Sequence, residues 1–201
     1  MHIHEIYINP SREEYPENYL HYFVNVSHQE TLSTGLTMKV STGDSMMHIG
    51  IFDKDAIVSY VGLHQAGIYN QVDMQCTLSE YRGQGYIRKC IEYAITHFSP
   101  VISDVGQTTE AKETWMALIQ RPHLHGYYWL NLETQKKEPI KWGHDGPTPN
   151  PWDDTDSVVI LALPQQTSSA ILEMRAQRAA FDSARGRKDP WLGRGFTEFN
   201  P

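Results

Sequence analysis

The stretch Gln71–Arg88, QVDMQCTLSEYRGQGYIR, decides how the chain folds. Its first half alternates: Gln71, Asp73, Gln75 and Thr77 are polar, while Val72, Met74, Cys76 and Leu78 are apolar. That period of two predicts a strand with one wet and one dry face. Gly83 and Gly85 then allow dihedrals closed to other residues. Ile87, Ile91, Ala94, Ile95 and Phe98 follow at spacings of three and four, the stripe of an amphipathic helix. A helix start presents unpaired N–H groups and a positive dipole end. A strand, a glycine loop and a helix start in succession therefore make an anion cradle suited to a pyrophosphate. No Gly-Lys-Ser/Thr follows, so this is not a Walker loop. The spacing Gly83-x-Gly85-x-x-Arg88 is not the dinucleotide fingerprint either.

Working outward, Met46–Phe52 and Ala56–Leu63 read as a hairpin joined by Asp53-Lys54-Asp55. Ile3–Ile8 reads as a strand and Tyr15–Val26 as a helix, with Ser11 and Glu14 at capping-box spacing. Residues 31–45, rich in Ser, Thr and Gly, read as loop. Beyond the central helix, Val101–Val105 is a short strand, residues 108–120 a helix, and Tyr127–Leu132 and Ser157–Leu163 the last strands. Between those two, residues 137–156 form a long insertion with four prolines, Trp142 and Trp152. Ala170–Ala184 reads as a helix and residues 185–201 as an Arg/Gly/Pro-rich tail. The strands flanking the central helix should be parallel and the earlier ones antiparallel. The expected fold is α/β: a mixed, mostly antiparallel sheet with helices on both faces, in one domain over 1–164, followed by an appended helix and tail over 165–201.

Arg82-Gly83-Gln84-Gly85-Tyr86-Ile87, preceded by Leu78-Ser79-Glu80-Tyr81, resembles the acetyl-CoA-binding motif of the GCN5-related N-acetyltransferases, the GNAT superfamily. The family pattern is Gln/Arg-x-x-Gly-x-Gly/Ala, matched here by Arg82 and Gly85 and departed from at Ile87. The order of elements over residues 1–164 is also similar to that family's. The resemblance implies acetyl-CoA as co-substrate and transfer of its acyl group to an amine. It implies that Gln75, Cys76 and Thr77 pair with the pantetheine arm, and that the loop from Arg82 through Gly83, Gln84, Gly85, Tyr86 and Ile87 to Arg88 holds the pyrophosphate. The family often carries Asn-x-x-Ala-x-x-x-Tyr after its fifth strand, the tyrosine protonating the leaving thiolate. This chain has Thr108-x-x-Ala111-x-x-x-Trp115, and an indole cannot act as that acid.

Asp73 and Asp104 are the candidate bases, as carboxylates able to take the amine proton directly or through water; the plain reading of both is solvated polar surface. Tyr127 and Tyr128 read either as cleft residues or as sheet aromatics. His2/His4 and His123/His125 have same-face spacing on a strand, but no HExxH or cysteine ligand set accompanies them, so no metal is expected. His97, near the central helix's end, is placed to meet the negative dipole. Cys76 and Cys90 read as small core residues, without a disulfide framework.

The chain has 17 Lys and Arg against 24 Asp and Glu, a net charge of -7, which argues against a general nucleic-acid coat protein. No apolar run spans a membrane and no secretory leader is visible, so a cytoplasmic location is expected. Residues 165–201 carry six Arg or Lys and four Asp or Glu, interleaved with Trp191, Phe196 and Phe199. That mixture suits self-association or a protein partner through 170–201, and less strongly nucleic acid. The alternative to an enzyme is a non-catalytic scaffold of the same fold, for example in a virus particle, acting through its tail.

Overall fold

The computed structural model describes residues 15–43, 46–121, 125–153 and 157–164. The expected strand Ile3–Ile8, the helix over 170–184 and the tail lie outside the described residues. The observed order is a 3-10 helix (Pro16–Val24), β1 (Val26–Thr31), β2 (Thr37–Thr42), β3 (Met46–Asp53), β4 (Ala56–Ala66), β5 (Tyr69–Thr77), α1 (Tyr86–Phe98), β6 (Val101–Ile102), α2 (Thr109–Ile119), β7 (His125–Asn131), β8 (Lys137–Pro139), β9 (Lys141–Gly143), β10 (Gly146–Thr148) and β11 (Val158–Pro164).

One sheet runs β1-β2-β3-β4-β5-β6-β11-β7-β8, so the last long strand inserts between β6 and β7. Its ladders are antiparallel except β5 with β6, as expected of strands joined across a helix. β3 and β4 turn on Lys54 and Asp55, two residues and not three, with Lys54 at φ 55.

Three expectations are corrected. Residues 37–42 form a strand rather than loop. TMKVST alternates, placing Met38 and Val40 in the core while Thr37 and Lys39 stay outside it. The stretch Tyr15–Val26 is a 3-10 helix that stops at Val24, and Val26 already belongs to β1. The insertion 137–156 is not plain loop: β8 pairs with β7, and β9 with β10 as a separate hairpin.

The two faces of the sheet are covered by different elements. On one, α1 buries Tyr86, Cys90, Ile91, Ala94 and Ile95, and α2 buries Trp115, Leu118 and Ile119, in one cluster with Ile49, Val61 and Val72. Thr108 caps α2 by accepting from the Ala111 N–H. On the other face the 3-10 helix lays Tyr19 and Phe23 on Phe52, Ile57 and Tyr60. The Tyr19 and Tyr60 rings stack at 4.1 Å, and Phe23 meets Phe52 edge-on at 5.1 Å. No helix among the described residues is long and apolar enough to cross a membrane.

Candidate active site

β5 and β6 pair only at Asn70–Val101 and Gln71–Ile102, while β5 runs on to Thr77. β6 instead continues toward β11: Ser103 N–H donates to the Ile160 carbonyl and Ser103 Oγ accepts from the Ile160 N–H. The ladder between the two central strands thus opens toward the glycine loop.

The register of β5 on β4 holds a further feature. Gly62 faces Met74 and Leu63 faces Val72, so Asp73 is the extra residue of a β-bulge. The bulge breaks the strict alternation seen in the sequence. Val72 joins the core under α1, whereas Met74 and Cys76 pack on the opposite face with Tyr60. Cys76 therefore does not share a face with Val72, contrary to the sequence reading.

At the end of β5 a short 3-10 turn, Ser79–Tyr81, leads into the loop. Gly83 (φ 74) and Gly85 (φ 77) are both left-handed, and Gly85 is the N-cap of α1 without any side-chain cap. The first N–H groups of α1 are thus available to an acceptor. The loop is braced locally: Arg82 Nε donates to the Thr77 carbonyl, Gln84 Nε2 to the Glu80 carbonyl, and Tyr86 Oη to Gln84 Oε1. The Arg88 guanidinium folds back over Gly85, its Nη2 2.8 Å from where a Cβ would sit. Ile87, the departure from the family motif, packs against the core cluster.

The two candidate carboxylates each have a polar neighbour. Gln71 Nε2 donates to Asp104 Oδ1 at 3.0 Å, and the same oxygen accepts from the Val105 N–H. Asp104 sits two residues beyond β6, in the turn rather than on the strand. Asp73 Oδ2 lies 3.9 Å from His64 Nδ1, and His64 faces Gln71 across the β4–β5 ladder. Tyr127 is buried with its hydroxyl unpartnered among the described residues, and burial pushes that phenol up. Tyr128 is a sheet aromatic beneath the Lys137 ammonium. Trp115 is core, 1% exposed. Cys90 is buried, and burial pushes its thiol up. His97 stands in the last turn of α1, where the dipole favours its charged form. Burial and the neighbouring His28 nevertheless lower its pKa.

Sequence reasoning missed a buried pair on the face away from α1. His48 Nδ1 and Tyr60 Oη are 2.8 Å apart, a hydrogen bond whose direction follows the imidazole tautomer. Tyr22 stacks on His48 at 4.0 Å. Burial, with His21 nearby, lowers the His48 pKa to about 4. In the unfolded chain the imidazole titrates near its ordinary 6.5, so between these values the unfolded state binds more protons. The stability held by neutral His48 is complete above pH 6.5 and is lost as pH falls toward 4. The loss reaches about 2 kcal/mol by pH 5. Urea titrations of the wild type and of His48→Gln should show this as a shallower acid slope in the variant; parallel slopes would refute it.

No family model matches this chain, and no curated protein matches it. Among solved structures it is similar to the ribosomal-protein-S18-alanine N-acetyltransferase from Escherichia coli, at 12% identity over 63% of this chain and 74% of that one, with a TM-score of 0.37. It is also similar to a GNAT family acetyltransferase from Elizabethkingia anophelis with acetyl-CoA bound, at 11% identity over 60% and 76%, TM-score 0.34. A nourseothricin acetyltransferase aligns at 12% identity over 70% and 84%, TM-score 0.36.

Proposed function

We propose that the chain is an acyl-CoA-dependent N-acyltransferase of the GNAT type, with acetyl-CoA as the simplest donor and an amine as acceptor. One observation carries the reading. The β5–β6 ladder opens after Gln71, and β5 leads through the Ser79–Tyr81 turn to two left-handed glycines at an uncapped helix start. The residues there fit a diphosphate. Gly83 is surrounded by open space, Arg88 brings positive charge to the seat, and Ile87 is turned into the core.

In this reading the pantetheine arm runs along Gln75, Cys76 and Thr77. The loop from Arg82 through Gly83, Gln84, Gly85, Tyr86 and Ile87 to Arg88 takes the pyrophosphate. The neutral amine attacks the thioester carbonyl, a C–N bond forms and the C–S bond breaks. The amine proton passes to Asp73 or Asp104, directly or through water. The thiolate leaves unassisted by Trp115, since a thiol titrates near 8.5 and collects its proton from solvent.

Calorimetry with acetyl-CoA, followed by thioester consumption with a panel of amines and peptides, tests the reading. Micromolar binding with amine-dependent turnover is expected. Absence of binding at millimolar ligand would overturn it and leave a scaffold. If Asp73 is the base, Asp73→Asn lowers kcat while acetyl-CoA affinity is unchanged. Equal kcat in wild type and variant would pass that role to Asp104.

A further inference from the structure

His64, Gln71 and Ile102 form one row across β4, β5 and β6. It is the last row that the β5–β6 ladder holds, so it marks the fork where the two strands part. Each polar member of the row stands beside a candidate carboxylate. Gln71 Nε2 donates to Asp104 Oδ1, and His64 Nδ1 lies 3.9 Å from Asp73 Oδ2. The acyl-transfer reading uses the carboxylates and leaves His64 without a role.

The bulge brings the histidine and the aspartate together. Across a regular ladder Asp73 would face Gly62. As the extra residue it has no cross-strand partner, and bulges re-aim the side chain they carry. The His64 and Asp73 side chains are 31% and 28% exposed, enough for water to reach the imidazole.

Proton chemistry gives such a neighbour a use. Carboxylates as a class titrate at about 3.9 and imidazoles at about 6.5. A carboxylate that takes a proton from an amine at neutral pH therefore passes it on to an imidazole at its side, and the imidazole can release it to water. The 3.9 Å separation exceeds a hydrogen bond, and one water or a small closure spans it. Catalytic pairs are often this long before substrate binds. We propose that His64 receives from Asp73 the proton that the attacking amine loses, and returns it to solvent. As the C–N bond forms and the C–S bond breaks, the amine proton moves to the Asp73 carboxylate and then to His64 Nδ1. The imidazolium gives up a proton to water, which restores both groups. His64 touches no reacting atom, so it is a positioning residue. The proposal rests on the acyl-transfer reading, with Asp73 as its base.

The charge of Asp73 also reaches Tyr60, which places the pair on the sheet face away from α1. The other titratable groups on that face, among the described residues, are Tyr60, His48 and Cys76 from the sheet and Tyr19, Tyr22 and His21 from the 3-10 helix. His48, lowered by burial to about 4, and Tyr60, raised by burial, stay out of the imidazole range. Thiols and phenols as classes titrate above it. His21 is exposed and serves as the control.

The test compares kcat of the wild type and of His64→Gln from about pH 5 to about pH 8. Acetyl-CoA is the donor, and n-butylamine, spermidine and a short lysine peptide are the acceptors. His64→Gln should lower kcat at least about tenfold at the alkaline end, and the gap should close as pH falls, since a protonated imidazole accepts nothing. The ratio of the two rates cancels the titration of the amine itself. Acetyl-CoA affinity should stay the same, and His21→Gln should match the wild type throughout. Asp73→Asn should lower kcat, and adding His64→Gln to it should cost little more. A kcat unchanged by His64→Gln, a ratio that is flat with pH, or full additivity with Asp73→Asn would overturn the proposal and leave acyl transfer standing. Absence of acetyl-CoA-dependent turnover in the wild type would overturn both.

Discussion

If the chain binds acetyl-CoA as proposed, Gly85→Val lowers that affinity at least about tenfold, and more if the loop cannot relax. Two effects add. The residue sits at φ 77, where a side chain costs about 1–2 kcal/mol and a β-branched one more. Its Cβ would also stand 2.8 Å from Arg88 Nη2, displacing the guanidinium that folds back over Gly85. In the proposed reading the N–H groups of the first turn and that positive charge would meet the diphosphate, so strain and lost contacts would fall on the same ligand. Gly83→Ala separates the two. It has φ 74 but no atom within 4 Å, so only the backbone strain applies and the affinity loss is smaller. Gly35→Ala is the control. It has φ 83 and equally open space, but lies in the β1–β2 turn. It should lower the urea midpoint as Gly83→Ala does and leave acetyl-CoA binding untouched. Calorimetry on the three variants decides the matter; equal affinity across all of them would remove the glycine loop from the site.

The glycine loop was legible because its signals are local. Two glycines between an alternating strand and a 3.6-period stripe leave few other readings, and β5 and α1 appear within a residue or two of their expected bounds. The Asp73 bulge was not legible for the opposite reason. VDMQC alternates without a flaw, and only the register against Gly62 and Leu63 shows that the strand slips by one residue. The β1–β2 hairpin was missed because β1 exposes all six of its residues and so carries no apolar period. In the insertion, Pro139 and Pro147 masked two short strands; such prolines are tolerated at edges, which is where β8 lies. The His48–Tyr60 bond joins residues twelve apart on neighbouring strands, and nothing in the composition marks either as paired.

Trp115→Ala destabilises the chain by about 3–5 kcal/mol, a large part of the roughly 5–15 kcal/mol that holds a typical domain together. The residue occupies the position where the resembled family often places its acidic tyrosine, and the fold explains the exchange. Trp115 is 1% exposed and belongs with Leu118 and Ile119 to the cluster that α1 also builds. Its removal leaves a cavity in the cluster that α1 and α2 build together, and the cost grows with how little of that space the surroundings refill. The effect separates packing from chemistry. Trp115→Phe should recover most of the stability, because it refills much of the volume with an apolar ring. If the indole only packs, Trp115→Phe also keeps the turnover of the wild type, and Trp115→Tyr gains none from its hydroxyl. Urea denaturation and acetyl transfer measured on all three variants test this. A stable Trp115→Ala protein would place the side chain outside the core, and a rise in kcat on Trp115→Tyr would show that the position faces the thioester after all.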